Sequence, residues 1–168
     1  MYFPSVNIGY AVGEGIVFKT TNAGTTWTAI DTIPTYLYSI HFTDNNTGYV
    51  VGSNMKVYKT TNGGTTWNVV LDSYPYLIYS VYASPVNANF IAIAGESIVY
   101  ESTNAGNTWS SHIPNANGSF DYRFHSIRYF NNDKAIAVSD YGNVYAKTPN
   151  GWVLKQDWTR EHINSIFF

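Results

Sequence analysis

The sequence carries eleven Asp and Glu side chains, and glycoside hydrolysis needs two of them in unlike surroundings, one kept protonated and one ionised. Asp31, Asp72, Asp121 and Asp157 recur at similar places between repeated segments, which reads as turns and solvated surface, not as an acid with its base. The histidines His41, His112, His125 and His162 show no metal-ligand spacing. With no cysteine there is no thiolate ligand, no disulfide and no cysteine nucleophile. No nucleophile-elbow phrase and no phosphate-cradling glycine loop occurs. The arginines are Arg123, Arg128 and Arg160, all toward the C-terminus, so a clamp for a carboxylate substrate lacks N-terminal members. The expectation is a chain with no catalytic set, no metal and no cofactor.

Recognition is the chemistry that remains. Tyr36, Tyr38, Tyr74, Tyr76, Tyr79, Phe120, Tyr122, His125, Trp158 and His162 cluster in recurring connecting segments, with Arg123 and Arg160 among them. Tyr, Trp and Arg anchor protein interfaces, and flat aromatic rings stack on sugars. Two readings stand side by side: packing between neighbouring repeats, or a binding face. The second makes Tyr36, Tyr38, Tyr76, Tyr79, Tyr122, Arg123, His125 and Arg160 the candidate ligand-binding set, with a protein segment or a glycan as partner.

Composition narrows the partners. A formal charge of −2 without a basic run leaves no electrostatic footprint for nucleic acid or an anionic membrane. Hydrophobic residues at 45% and charged residues at 12% describe a folding chain and not a disordered one. No stretch has the length of a membrane span, so membrane insertion is not expected, and Met1 to Pro4 lack the basic and apolar segments of a signal peptide.

The elements that must hold these residues are set by a repeat. One phrase recurs as Thr20 to Trp27, Thr60 to Trp67 and Ser102 to Trp109, and a worn, shorter copy runs from Val144 to Trp152. Each repeat contains an apolar strand (Tyr38 to Phe42, Tyr79 to Tyr82, His125 to Tyr129, Asn164 to Phe168) and a second such as Gly48 to Gly52. A third, such as Lys56 to Lys59, precedes the phrase, and a fourth follows its Trp. Four antiparallel strands per forty or so residues predict an all-β fold, a β-propeller with four repeat units. The units run approximately 1–37, 38–78, 79–123 and 124–162, with 163–168 completing the first. Asp157 to His162 fits a short helical connection.

The first unit lacks the strand that is surplus at the C-terminus. Ile163 to Phe168 pairing beside Gly9 to Gly13 would close the ring and cover two sheet edges. Completion by further blades, or by a second chain, is the alternative.

The phrase itself predicts a hairpin. Gly24, Gly64 and Gly106 stand where a positive φ is expected, and the preceding position accepts Ala or Gly. Asn22, Asn62 and Asn104 are placed to bond the turn's backbone, and Trp27, Trp67 and Trp109 to pack near the blade edge. These are structural turns and not ligand sites.

Asn-x-x-Gly-Tyr-x-Val-Gly followed by Tyr/Phe-Lys-Thr-Thr-Asn-x-Gly-x-Thr-Trp resembles the Asp-box (BNR-like) repeats of sialidase-type propellers. It is still more similar to the photosystem II stability/assembly factor-like propellers. Residues 7 to 30 and 43 to 70 carry the likeness, with Asn where the Asp box has Asp. The resemblance implies a propeller and a binding or scaffold module of an exported bacterial protein, extracellular or periplasmic. It also leaves two other roles open: a fragment of a sialidase-like or xyloglucanase-like carbohydrate-active enzyme, or an assembly factor for a membrane complex.

Overall fold

The computed structural model describes residues 1–72, 76–112, 123–131, 133–156 and 163–166. Short runs of Val, Ile and Tyr between Gly, Asn and Ser turns fold into antiparallel meanders, as such spacing requires. Sheet 1 contains β1 (Gly9–Val12), β2 (Ile16–Thr20) and β3 (Thr28–Thr32). Sheet 2 contains β4 (Leu37–Phe42), β5 (Gly48–Gly52), β6 (Lys56–Thr60) and β7 (Asn68–Asp72). Sheet 3 contains β8 (Ile78–Ala83), β9 (Ile91–Gly95), β10 (Val99–Ser102) and β11 (Ser110–His112). Sheet 4 contains β12 (Phe124–Asn131), β13 (Lys134–Ser139), β14 (Val144–Thr148) and β15 (Gly151–Gln156). Among the described residues the only helical pieces are single 3-10 turns at Ser53–Met55 and Asp140–Gly142. The segment expected to form a helical connection, Asp157 to His162, lies outside the described residues.

The sheets are joined face to face by three apolar clusters. Tyr10 and Val17 of sheet 1 meet Leu37, Ile40, Phe42 and Val50 of sheet 2. Tyr49, Val51 and Val57 of sheet 2 meet Ile78, Val81, Ile91 and Ile93 of sheet 3. Phe90, just before β9, with Ala92 and Val99 of sheet 3, meets Phe124, Ile127, Tyr129 and Tyr145 of sheet 4. Trp67, Trp109 and Trp152 each pack back onto the preceding sheet in these clusters. Trp27 of sheet 1 remains 36% exposed and meets Phe3 edge-on at 5.9 Å. The architecture is that of propeller blades around an axis, with β4, β8 and β12 innermost.

The inner strands expose backbone N–H groups on the edge that no strand pairs. Serines fill this gap in a regular ladder. Ser39 Oγ accepts from Val81 N at 3.3 Å, Ser80 Oγ from Ile127 N at 3.2 Å, and Ser126 Oγ from Ile166 N at 3.3 Å. A buried unpaired donor costs about 1–3 kcal/mol, so the ladder is a condition for stacking the inner strands.

This ladder also locates the C-terminal segment. Ile166 sits one step beyond β12, and the free edge of β1 is occupied by Tyr2, whose N and O pair with Tyr10 at 2.9 and 2.8 Å. The pairing expected between Ile163 to Phe168 and Gly9 to Gly13 is not the arrangement of the described residues. Tyr2 is closer in sequence, and its ring gains a contact with His41 at 4.0 Å.

Candidate binding face

The repeated phrase forms an outer turn held by its own side chains. Thr60 Oγ1 accepts from Asn62 N (3.3 Å) and Gly64 N (3.0 Å) and donates to Asn62 Oδ1 (2.9 Å). Asn62 Oδ1 also accepts from Thr66 N at 3.0 Å, and its Nδ2 donates to Thr66 Oγ1 at 2.9 Å. The same bonds recur around Thr20, Asn22 and Thr26, and around Ser102, Asn104 and Thr108. Asparagine uses both ends of its amide here, and a carboxylate has no hydrogen to donate to the threonine hydroxyl. The backbone is left-handed at two successive positions, with Ala23, Gly63 and Ala105 at φ 56°, 65° and 57° and the following glycines at 86° to 87°. Glycine was expected to be needed only at the second, and alanine indeed tolerates the first at a modest steric cost.

The second and third turns are clasped by the preceding sheet. Tyr10 Oη and Lys19 Nζ donate to Gly63 O (3.1 and 3.0 Å), and Tyr49 Oη and Lys59 Nζ donate to Ala105 O (3.1 and 2.9 Å). Burial raises the Tyr49 hydroxyl to about 12, so it stays a donor. Between sheets 3 and 4 the device changes: Glu101 accepts from Tyr129 Oη at 2.5 Å and from Lys147 Nζ at 2.7 Å.

The other end of the blades is less regular and more exposed. In sheets 2, 3 and 4 the turn between the second and third strands folds against the segment entering the innermost strand. Ser53 N donates to Tyr36 O (2.9 Å), Glu96 N to Leu77 O (3.1 Å) and Asp140 N to Arg123 O (3.1 Å). The backbones approach so closely that a Cβ on Gly52 would lie 1.8 Å from Tyr36 O. These contacts fix the positions of Tyr36, Tyr38, Tyr79, Arg123 and His125.

Tyr38, Tyr79 and His125 form a row across sheets 2, 3 and 4, with ring centroids 5.4 Å apart for the first pair and 5.7 Å for the second. His125 Nε2 is 2.6 Å from Asp140 Oδ1. Glu96 and Arg123 form a backbone bridge, and Glu96 Oε2 accepts from Leu77 N at 3.2 Å. Burial, then the Glu96 carboxylate, raises the Tyr79 hydroxyl above its ordinary range. Tyr36 is 62% exposed and Tyr76 43%, and among the described residues neither stacks on the row. A cavity of about 460 Å³ opens beside Tyr36, lined also by Glu14, Ile33 and Pro34. The expected members Tyr122 and Arg160 lie outside the described residues, as do Tyr74, Phe120, Trp158, His162, Asp121 and Asp157.

Glu96 and Asp140 were not among the expected residues. Their signal was available: each follows the residue that ends its second strand, at the place of Glu14 and Ser53. The arrangement offers stacking surface, one exposed cation and two carboxylates on a fixed backbone, which suits recognition of a ligand with both apolar and polar parts. Among the described residues no group of three or more acidic or histidine side chains converges as a metal site. No described helix is long and apolar enough to cross a membrane.

No family model matches the chain. The chloroplastic photosystem II stability/assembly factor HCF136 of Oryza sativa subsp. japonica is 40% identical over 63 residues, which is 31% of this chain and 15% of that protein. Among solved structures, YCF48 bound to D1 peptide superposes with a TM-score of 0.62 at 26% identity, covering 74% of this chain and 43% of that one. An ancestral GH74 enzyme superposes with a TM-score of 0.77 at 24% identity, covering 91% of this chain and 23% of that one. The chain thus spans less than half the length of each of these proteins. It resembles the HCF136/YCF48 family and has the propeller fold; the GH74 likeness shows the fold alone.

Proposed function

We propose that this chain is a non-catalytic recognition module that binds an extended protein segment across the face formed by Tyr38, Tyr79, His125 and Arg123. The observation that carries the reading is the aromatic row: three inner strands present rings at one level, flanked by Arg123, Glu96 and Asp140. Support comes from the likeness to YCF48, whose structure holds a D1 peptide. The role as a scaffold for a protein complex follows from the same face. As part of this proposal the module belongs to an exported protein, and its ring is completed by further blades. The latter is supported by the exposure of Trp27 on sheet 1 and of Phe130, Val153 and Leu154 on sheet 4.

The test is a selection of peptides from a random display library against the 168-residue chain, followed by titration of the best binder. Arg123→Ala and Tyr38→Ala are expected to weaken binding at least tenfold. A glycan panel run in parallel is expected to show neither binding nor turnover. Hydrolysis that disappears on changing one carboxylate would replace this reading with a carbohydrate-active enzyme.

A further inference from the structure

Farther along the same inner strands lies a second set of side chains. His41, Tyr82 and Arg128 follow the ladder serines Ser39, Ser80 and Ser126 by two residues each. At about 3.3 Å per residue they lie roughly 10 Å along the strands from the aromatic row. With Met1, Tyr2, Pro85 and Tyr129 they line a cavity of about 340 Å³.

The walls of this cavity are flat and aromatic. The Tyr2 ring lies 4.0 Å from His41, and His41 lies 5.4 Å from Tyr82. His41 Nδ1 accepts from Ala83 N at 3.2 Å, which leaves the ring proton on Nε2. Burial, then the nearby Arg128 charge, lowers the His41 pKa to about 3, so the imidazole is neutral. Burial also lowers the pKa of Arg128, whose Nη1 donates to Ile127 O at 2.7 Å. Among the described residues no carboxylate lies within ion-pair distance of Arg128.

The cavity therefore combines the Arg128 guanidinium, the amino group of Met1, the phenols of Tyr2, Tyr82 and Tyr129 and a neutral imidazole, with no carboxylate among the described residues. A partly buried cation with no ion-pair partner among the described residues is costly, and a planar guanidinium is matched in shape by a carboxylate, which it grips through two parallel bonds. The aromatic walls suit an apolar, flat body.

We infer that this axial cavity binds a carboxylate-bearing ligand with an aromatic or apolar body, gripped by Arg128 and walled by Tyr2, His41 and Tyr82. The site is distinct from the segment-binding face and does not depend on it. The test is calorimetric titration of the 168-residue chain with sodium benzoate and with benzamide, its neutral counterpart, at constant ionic strength. Benzoate is expected to bind saturably and at least tenfold more tightly than benzamide. Arg128→Gln should remove that preference, with circular dichroism confirming the fold. Tyr82→Phe keeps the ring, removes one donor and should weaken benzoate severalfold.

The tripeptide Gly-Gly-Phe, with a free or an amidated C-terminus, separates the two sources of a carboxylate. Tighter binding of the free peptide than of benzoate assigns the ligand to a chain end. The reverse order assigns it to a small free acid, and both support the site. Equal affinities for benzoate and benzamide, or unchanged benzoate binding in folded Arg128→Gln, would overturn the inference. Because the display-selected peptide reports on the face at Tyr38 and Arg123, failure here leaves that reading standing, and the reverse also holds.

Discussion

The outer turns and the inner strands of this molecule were built by the same repeat and have diverged to different degrees. Around Asn22, Asn62 and Asn104 the side-chain bonds recur almost atom for atom. On β4, β8 and β12 the serine recurs at 39, 80 and 126, yet its neighbours read Tyr38 and His41, then Tyr79 and Tyr82, then His125 and Arg128. Where a side chain completes the backbone's hydrogen bonds, its type is kept. Where the serine has already done so, the flanking positions are released, and there the chain carries rings and charges.

That contrast can be broken most severely where the outer pattern has itself changed. Glu101 stands at the register position of Lys19 and Lys59. Glu101→Lys restores the repeat's residue but leaves Lys147 facing a second cation and Tyr129 without its acceptor. Both Glu101 and Lys147 are largely buried, so the loss should be about 3–5 kcal/mol in a urea titration. A neutral outcome would mean that the repeat pattern outweighs local context.

Thr60→Val sharpens the contrast from the conserved side. Two backbone donors and the Asn62 amide lose a partner at a fully buried position, which should cost about 2–3 kcal/mol and lower the melting temperature by roughly 5–10 °C.

At the axis the expected effect accrues gradually with pH, small over any one unit. The folded His41 pKa of about 3 lies below the ordinary 6.5, so the unfolded chain takes up a proton that the folded chain refuses. Its contribution to stability is complete above pH 6.5 and is lost as pH falls toward 3, at no more than about 1.4 kcal/mol per unit. Unfolding measured from pH 7 to 4 should show this slope, and His41→Gln should flatten it.

Much of the fold was legible because repeated Gly, Asn and Trp mark where each meander turns. Glu101 was not, since one substitution in a strand carries no sign that Tyr129 and Lys147 will move to meet it. Ala23 and Ala105 hid a left-handed position because alanine gives no hint of φ. The place of Tyr2 was missed because a single bridged residue has no periodicity to read. At the candidate face the aromatics were visible as composition. Their union into a row depends on which strands lie side by side, and Glu96 and Asp140 join it only through turns that fold back onto the neighbouring segment.

Titration of a display-selected peptide against Tyr79→Ala, with thermal melting of the same samples, tests most directly whether the variable inner face is the functional one. The account predicts at least a tenfold loss of affinity, about 1.4 kcal/mol, with less than about 1 kcal/mol of lost stability. Unchanged affinity, or a loss of affinity matched by a collapse in melting temperature, would contradict it and return Tyr79 to the role of packing between blades.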